Sequence, residues 1–340
     1  MRRLISHHGD PERGATGVLV AVMMLVLVGA GALAVDAGQI YAERAQLQNG
    51  ADGAALAVAQ VCHKTTCTQT QANALAVELL DANANDGAST LSGSVEMDVA
   101  GKWTVRTTTE NGETGAGFLS KMFASALSAP PATVGAHATA GITPLGAASG
   151  FPLALSNTCW NLNTTSNTAT VQKISYKPGG TCTGPSGAEI PGGWGWLDQD
   201  APCKAASEVG SNQLGSDPGN NPPSGCSAIL NEWRSTILGG GEVKVPFPVF
   251  DDASNNGQGG TFNIIGYATF KIWGWKFGNN HEYEFRNSAT DPGMTAALSC
   301  TGGQDRCIIG QFVKFESIES STGGAGGGAN LGTVQIRLIQ

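Results

Sequence analysis

The feature that most constrains this chain is an apolar run near its start, GVLVAVMMLVLVGAGALAV, from Gly17 to Val35. It contains no charged residue and no strong hydrogen-bonding side chain. As a helix rising about 1.5 Å per residue it spans roughly 28 Å, close to the hydrocarbon thickness of a bilayer. Arg2, Arg3 and Arg13 precede the run, and only Arg44 comes closely after it. That bias keeps the N-terminus in the cytoplasm and exports the remainder of the chain. A cleaved leader is the competing reading, because Ala32-Leu33-Ala34 satisfies the small-x-small cleavage rule. Against cleavage, the run is long for the apolar region of a leader, and the residues beyond it do not resemble a free mature terminus. The expectation is a retained single-pass anchor.

Beyond the run the chain reads QIYAERAQLQNGADGAALAVAQ. Here Ile40, Leu47, Ala51, Ala54, Val58 and Val61 recur at steps of three, four or seven, which is one stripe on a helix. Many of its members are Ala, so another helix or a sheet can approach closely. The membrane helix is therefore expected to run on as an amphipathic stem packed through Leu47, Ala51, Ala54 and Val58. An apolar stripe left in water is unfavourable, so it needs a partner surface. Either the chain's own next unit or a neighbouring subunit can supply one.

The Arg13-Gly14 start, the apolar helix and the segment VDAGQIYAERAQLQNGADGAALAVAQ together resemble the N-terminal region of Tad (tight-adherence, Flp pilus-assembly) proteins of the TadE/TadG type. The resemblance covers about residues 12 to 60. It implies a membrane-anchored component of a bacterial pilus-assembly or adherence system, with other pilus-assembly or pseudopilin subunits as partners. Two departures from related patterns stand out. Processed pseudopilins are cut after a Gly and carry Glu at the fifth residue beyond, where this chain has Leu19 after Gly14 and Val22 after Gly17. Longer members also carry a D-x-S-x-S metal loop, and its nearest counterpart, Asp252-Ala-Ser254-Asn-Asn256, lacks the final Ser. No metal is carried over.

Composition narrows the field further. The formal net charge is −8, which argues against nucleic-acid binding, since that needs clustered Lys and Arg. Charged residues make up 14% of the chain and Gly numbers 48, so turns and long loops rich in Ser, Thr, Asn and Gln are expected. All eight cysteines (Cys62, Cys67, Cys159, Cys182, Cys203, Cys226, Cys300 and Cys307) lie beyond the apolar run. An even count there reads as disulfides in an oxidising compartment. Zinc is the rival, but no C-x-x-C pair occurs and few His lie nearby. Sequence does not choose among the many connectivities that eight cysteines allow; pairing each with its neighbour is the expectation.

The fold class expected is α+β in three regions. Residues 1–61 hold the cytoplasmic tail, transmembrane helix and stem. Residues 62–147 form a small α+β domain, pilin-like in outline. It has a helix over TQTQANALAVELLDANAND, a hairpin of SVEMDV and WTVRTTT turning at Ala100-Gly101-Lys102, a short helix around GFLSKMFASAL and a strand around TVGAHATAG. ITPLGAASGFP reads as a boundary. Residues 148–340 form a β-rich extracytoplasmic domain pinned by disulfides. Its candidate strands are FPLALS, ATVQKISY, EVKVPFPVF, FNIIGYATFKIWGWKF, CIIGQFVKF and TVQIRLI. One helix, SAILNEWRSTIL, places Ile229, Trp233 and Ile237 on one side.

Groupings that carry chemistry are scarce. His281-Glu-Tyr-Glu284 lacks the second His of a zinc-protease helix. Neither G-x-S-x-G nor S-x-x-K occurs, and only His63, His137 and His281 lie outside the membrane to act as bases. Asp251-Asp252 with Asn255-Asn256-Gly257 does not fit the alternate-position pattern of a calcium loop. Trp194-Gly-Trp196 and Trp273-Gly-Trp275 place rings two apart, hence on one face of a strand. Such pairs serve either as core or as a platform for sugars and partners. The expectation is no catalytic, cofactor or metal site, and a structural or assembly role rather than an enzyme. The alternative is a surface-anchored module binding a polysaccharide or host ligand through the Trp-rich domain.

Overall fold

A single unbroken helix, α1 (Glu12–Thr65), carries both the apolar run and the stem. In the computed structural model the described residues are 12–85, 87–98, 101–112, 114–119, 121–160, 162, 170–177, 179–190, 192–217, 222–254, 260–313, 316–317, 323–324 and 326–339. The Arg2 and Arg3 of the charge bias, the Ala100 of the hairpin turn and Asn255-Asn256-Gly257 fall outside them. The architecture is α+β: the long helix, a small mixed region, then a β-rich domain; three of the four disulfides lie in that domain and the fourth, Cys62–Cys67, joins the end of α1 to the start of the mixed region. The chain divides into two compact units. The first comprises residues 1–62, 67–140 and 338–340, and the second 63–66 and 141–337. Stem and α+β region thus share one unit.

In the first unit, helix α2 (Gln69–Asn83) begins at a capping box. The Thr68 side chain accepts from the Gln71 N–H, and the Gln71 side chain accepts from the Thr68 N–H. Two orphan donors of the first turn are thereby satisfied. Ala72, Ala76 and Leu80 are its buried face. Strands β1 (Ser89–Leu91) and β2 (Glu96–Asp98) lie antiparallel to successive halves of β3 (Lys102–Thr109), pairing Leu91 with Thr107 and Glu96 with Thr104. Gly101 makes the β2–β3 turn at φ +78°, a conformation that costs Gly little. On β3 the buried residues alternate, Trp103, Val105, Thr107 and Thr109 facing inward. Strand β4 (Gly135–Pro144) neighbours β3. The segment GFLSKMFASAL is helical only over Ala124–Leu127, and there as a 3-10 turn. Leu119 bridges Ala132 in extended geometry before the turn, and Ser128 ends it at φ +55°. Pro130 and Pro131 follow after Ala129 and cannot continue a helix.

The second unit contains β5 (Ala147–Gly150), β6 (Leu153–Ser156), β7 (Gln172–Ser175), β8 (Cys182–Thr183), β9 (Glu189–Ile190), β10 (Trp194–Leu197), β11 (Ala205–Glu208) and β12 (Asn212–Asp217). Helix α3 (Ser227–Leu238) comes next, then β13 (Val243–Ser254), β14 (Thr261–Lys276), β15 (Glu284–Phe285), β16 (Cys307–Phe312), β17 (Glu316–Ser317), β18 (Gly323–Gly324) and β19 (Thr333–Leu338). Its main sheet runs β12-β10-β6-β13-β14-β16-β7, and β12 also pairs β14, so five of the strands close into a ring. All these pairings are antiparallel except β6–β13. One face packs an aromatic core of Phe151, Trp194, Trp196, Trp233, Phe247, Phe270, Trp275 and Phe277. Gly195 lies between the two indoles of β10, and a Cβ there would collide with the Phe262 ring. The glycine lets Phe262 close over the strand. A loop bounded by Cys300 and Cys307 is held by cations: buried Lys276 donates to the carbonyls of Thr301 (3.1 Å) and Gly302 (2.9 Å), and Lys173 to that of Ser299 (2.7 Å).

Candidate functional site: the anchor and its stem

The apolar part of α1 turns its side chains outward along its whole length. Leu25, Leu27, Val28 and Leu33 are each at least 70% exposed, and the window that qualifies as a membrane span has a mean hydropathy of 2.8 with none of it buried. A core helix would bury at least one stripe. This one has apolar surface on every side, as a helix solvated by lipid requires.

The character changes at Asp36, the first residue after the run. It is buried, and its carboxylate accepts from the backbone N–H groups of Phe123 (2.9 Å) and Ala124 (2.6 Å), the start of the 3-10 turn. An ionised acceptor bonded to two otherwise orphaned donors is among the stronger hydrogen-bond arrangements. Sequence reading passed over this residue, because its partners lie more than eighty positions away. The one available signal was an acid placed directly after an uncharged span, on an otherwise apolar to small face.

Further along, Leu47, Ala51, Ala54 and Val58 are buried, and so are Gly50, Ala55, Ala59 and Cys62. Val61, the last member of the expected stripe, is 42% exposed. A Cβ on Gly50 would stand 3.2 Å from Leu80 Cδ2, so α1 and α2 meet at Gly-to-Leu distance. Gln48 Nε2 donates to Asp52 Oδ1 (2.8 Å) and to the His137 carbonyl (3.0 Å), and the Asn85 N–H donates to Gln46 Oε1 (3.0 Å). The stem is thus covered within its own unit, by α2 and the strands. It is not a bare spacer.

The eight cysteines form Cys62–Cys67, Cys159–Cys182, Cys203–Cys226 and Cys300–Cys307. Cys203 and Cys226 are fully buried in the aromatic core, and Cys226 is the N-cap residue of α3.

The groupings weighed for chemistry have structural partners. His281 opens a 3-10 turn, not a strand. The Arg234 guanidinium reaches its ring (3.2 Å to Nδ1) and donates to the Glu284 carbonyl (2.7 Å). His137 is an exposed residue of β4. Asn263 donates to Asp251 Oδ1 (2.7 Å), while Ser186 donates to both oxygens of Asp252 and holds its carboxyl below the usual range. Among the described residues no three His, Cys, Asp or Glu side chains cluster as metal ligands do.

The Trp pairs differ from one another. Trp194 and Trp196 share one face, with ring centroids 5.3 Å apart, and both meet Phe277. Trp273 and Trp275 do not share a face, contrary to their spacing. The β14–β16 register shifts between Ile272 and Gly274, and the extra residue of this bulge reverses the alternation. Trp275 enters the aromatic core beside Trp233, while Trp273 packs with Met294, Cys300, Cys307 and Ile309 on the other side. Trp194, Trp196 and Trp275 are buried, so these rings form no exposed platform.

Residues 14–61, covering the whole apolar run, Asp36 and the stem up to Val61, match the family described as "Putative Flp pilus-assembly TadE/G-like". Among curated proteins and among solved structures, nothing matches the chain.

Proposed function

We propose that this protein is a membrane-anchored structural or assembly component of a bacterial Tad/Flp pilus or adherence system, minor pseudopilin-like and without catalytic activity. The observation that carries the reading is the coincidence of the family match with one continuous helix, outward-facing and apolar before Asp36 and buried along one face from Leu47 to Ala59. The first half supplies a lipid anchor. The second half fixes that anchor rigidly to a folded unit, so a force or a register set in the membrane reaches the ectodomain without a flexible joint. The arginine bias supports a cytoplasmic N-terminus with the chain beyond Val35 outside, where four disulfides persist. The partners are other pilus-assembly or pseudopilin subunits.

The test is deletion of the gene in its own host, with surface pili and adherent cells counted before and after complementation by the intact chain. Loss of pili restored by the intact chain supports the role. Normal piliation and adherence in the deletion strain overturn it. Thiol-reactive probes on cysteines placed before and after the span check the topology: labelling in intact cells only beyond residue 36 is expected.

A further inference from the structure

The turn bonded to Asp36 carries exposed apolar side chains. Phe118 is 37%, Met122 66% and Phe123 44% exposed. Lys121 is the one charged residue between Gly117 and Ser128. We infer that Met122 and Phe123 enter the headgroup–acyl boundary of the leaflet from which α1 emerges, making this turn a second membrane contact of the protein. This second contact rests on the anchor reading above and adds a site to it.

Height along α1 decides the matter. Asp36 directly follows Val35, the last residue of the apolar run, so the hydrocarbon ends and the headgroup layer begins at that level. The two bonds from Phe123 and Ala124 to the Asp36 carboxylate fix the turn at the same level. Its apolar side chains are therefore beside lipid that α1 already contacts, through Leu33 (71% exposed) and Val35 (46%). Tyr41, 76% exposed, lies five residues further along α1, about 7.5 Å higher. An aromatic at that depth suits the interfacial belt. Lys121, next to Met122 in the chain, has a side chain long enough to reach the phosphate layer from this level. Lipid is favoured over a second protein chain because the patch continues a surface that is itself apolar on all sides. Burying the Asp36 carboxylate under this turn also keeps an anion from facing the acyl boundary.

The full chain, reconstituted in vesicles of phosphatidylethanolamine and phosphatidylglycerol, tests this by spin-label depth measurement with oxygen and a water-soluble nickel chelate as relaxers. The described cysteines are all in disulfides, so Met122→Cys, Leu27→Cys and Thr70→Cys each offer one reactive thiol under non-reducing conditions. The expected result is a mid-bilayer signature at Leu27→Cys, an interfacial one at Met122→Cys with oxygen favoured over nickel, and an aqueous one at Thr70→Cys. An aqueous signature at Met122→Cys with Leu27→Cys still in the bilayer overturns the second contact and leaves the anchor standing. Protection of Met122→Cys from both relaxers means a protein neighbour covers the turn, which also overturns it. An aqueous Leu27→Cys removes the anchor and the second contact together.

Discussion

The Asp36 carboxylate accepts the backbone N–H of Phe123 at 2.9 Å, tying the end of the apolar run to a turn far along the chain. With the companion bond from Ala124, this is the polar clasp between the anchor helix and the folded part of its unit. The Ala-rich stripe supplies the apolar part of the same attachment.

Asp36→Ala removes both acceptors and leaves two backbone donors without a partner. Hydrogen bonds to a charged group contribute about 1.5–3 kcal/mol each, and the loss falls locally. Hydrogen exchange at Phe123 and Ala124 should accelerate by at least about tenfold, equivalent to roughly 1.4 kcal/mol. Asp36→Asn keeps one acceptor oxygen and should fall between. Unchanged exchange at both amides in Asp36→Ala would show that the clasp is not formed in solution.

Ala54 is fully buried, one turn beyond Gly50 on the stem. Ala54→Leu inserts three carbon atoms at a position with no exposure left, and overpacking of this kind costs about 1–3 kcal/mol. Because the stripe is covered within the chain's own unit, the thermal transition of the detergent-solubilised protein itself should fall. Ala54→Ser, close in volume, should fall less. A Leu variant that melts normally yet fails to assemble in cells would move the covering surface to a neighbouring subunit.

The range of each interaction governs how legible it was in the sequence. The anchor, stem, α2 and α3 are written in local periodicity, and the capping box of α2 is a four-residue signal. The strands of the second unit appear as alternating or continuous apolar runs. GFLSKMFASAL was less transparent: helical periodicity promises several turns, but the bridge at Leu119 and the double proline leave only one. The clasp at Asp36 was scarcely legible: an acid directly after an uncharged span is its one local signal, and its partners lie more than eighty residues away. Nor was the Trp273–Trp275 reversal, because a bulge depends on the register of β16 and not on β14 alone.

His63 lies in the last turn of α1, and burial lowers its pKa below the ordinary value of 6.5. The unfolded chain therefore takes up this proton first as pH falls. Its contribution to stability is present above about pH 6.5 and is lost as pH drops through the lower, folded-state value. Denaturant midpoints should decline between pH 7 and 5, and His63→Gln should flatten that part of the profile. An equal decline in His63→Gln would place the acid sensitivity elsewhere.

The Cys203–Cys226 bridge closes a separation of 23 residues and anchors the start of α3 inside the aromatic core. Removing it as the double Ser variant should cost about 2–4 kcal/mol, and the buried hydroxyls add to that. The Cys62–Cys67 bridge has a separation of only five, so it restricts the unfolded chain less and its removal should cost less. Differential scanning calorimetry of the two double variants should rank them in that order. The reverse order would mean that the short bridge, at the end of the stem, governs the cooperative unit.

The indoles provide the last test, because they separate a packing role from a binding role. Trp275 is fully buried, with its ring 5.9 Å from Trp233 and 5.0 Å from Phe285. Trp275→Ala should cost about 3–5 kcal/mol, as truncation of a large core aromatic does. Trp273 keeps partial exposure on the opposite side of the bulge, so Trp273→Ala should cost less and leave the second unit folded. If packing is the whole role of these residues, soluble oligosaccharides titrated into the intact protein leave its tryptophan emission unchanged. A saturable change in emission that disappears in Trp273→Ala but survives in a folded control variant would assign that indole to ligand binding. It would also put the alternative, polysaccharide-binding reading ahead for the β-rich domain.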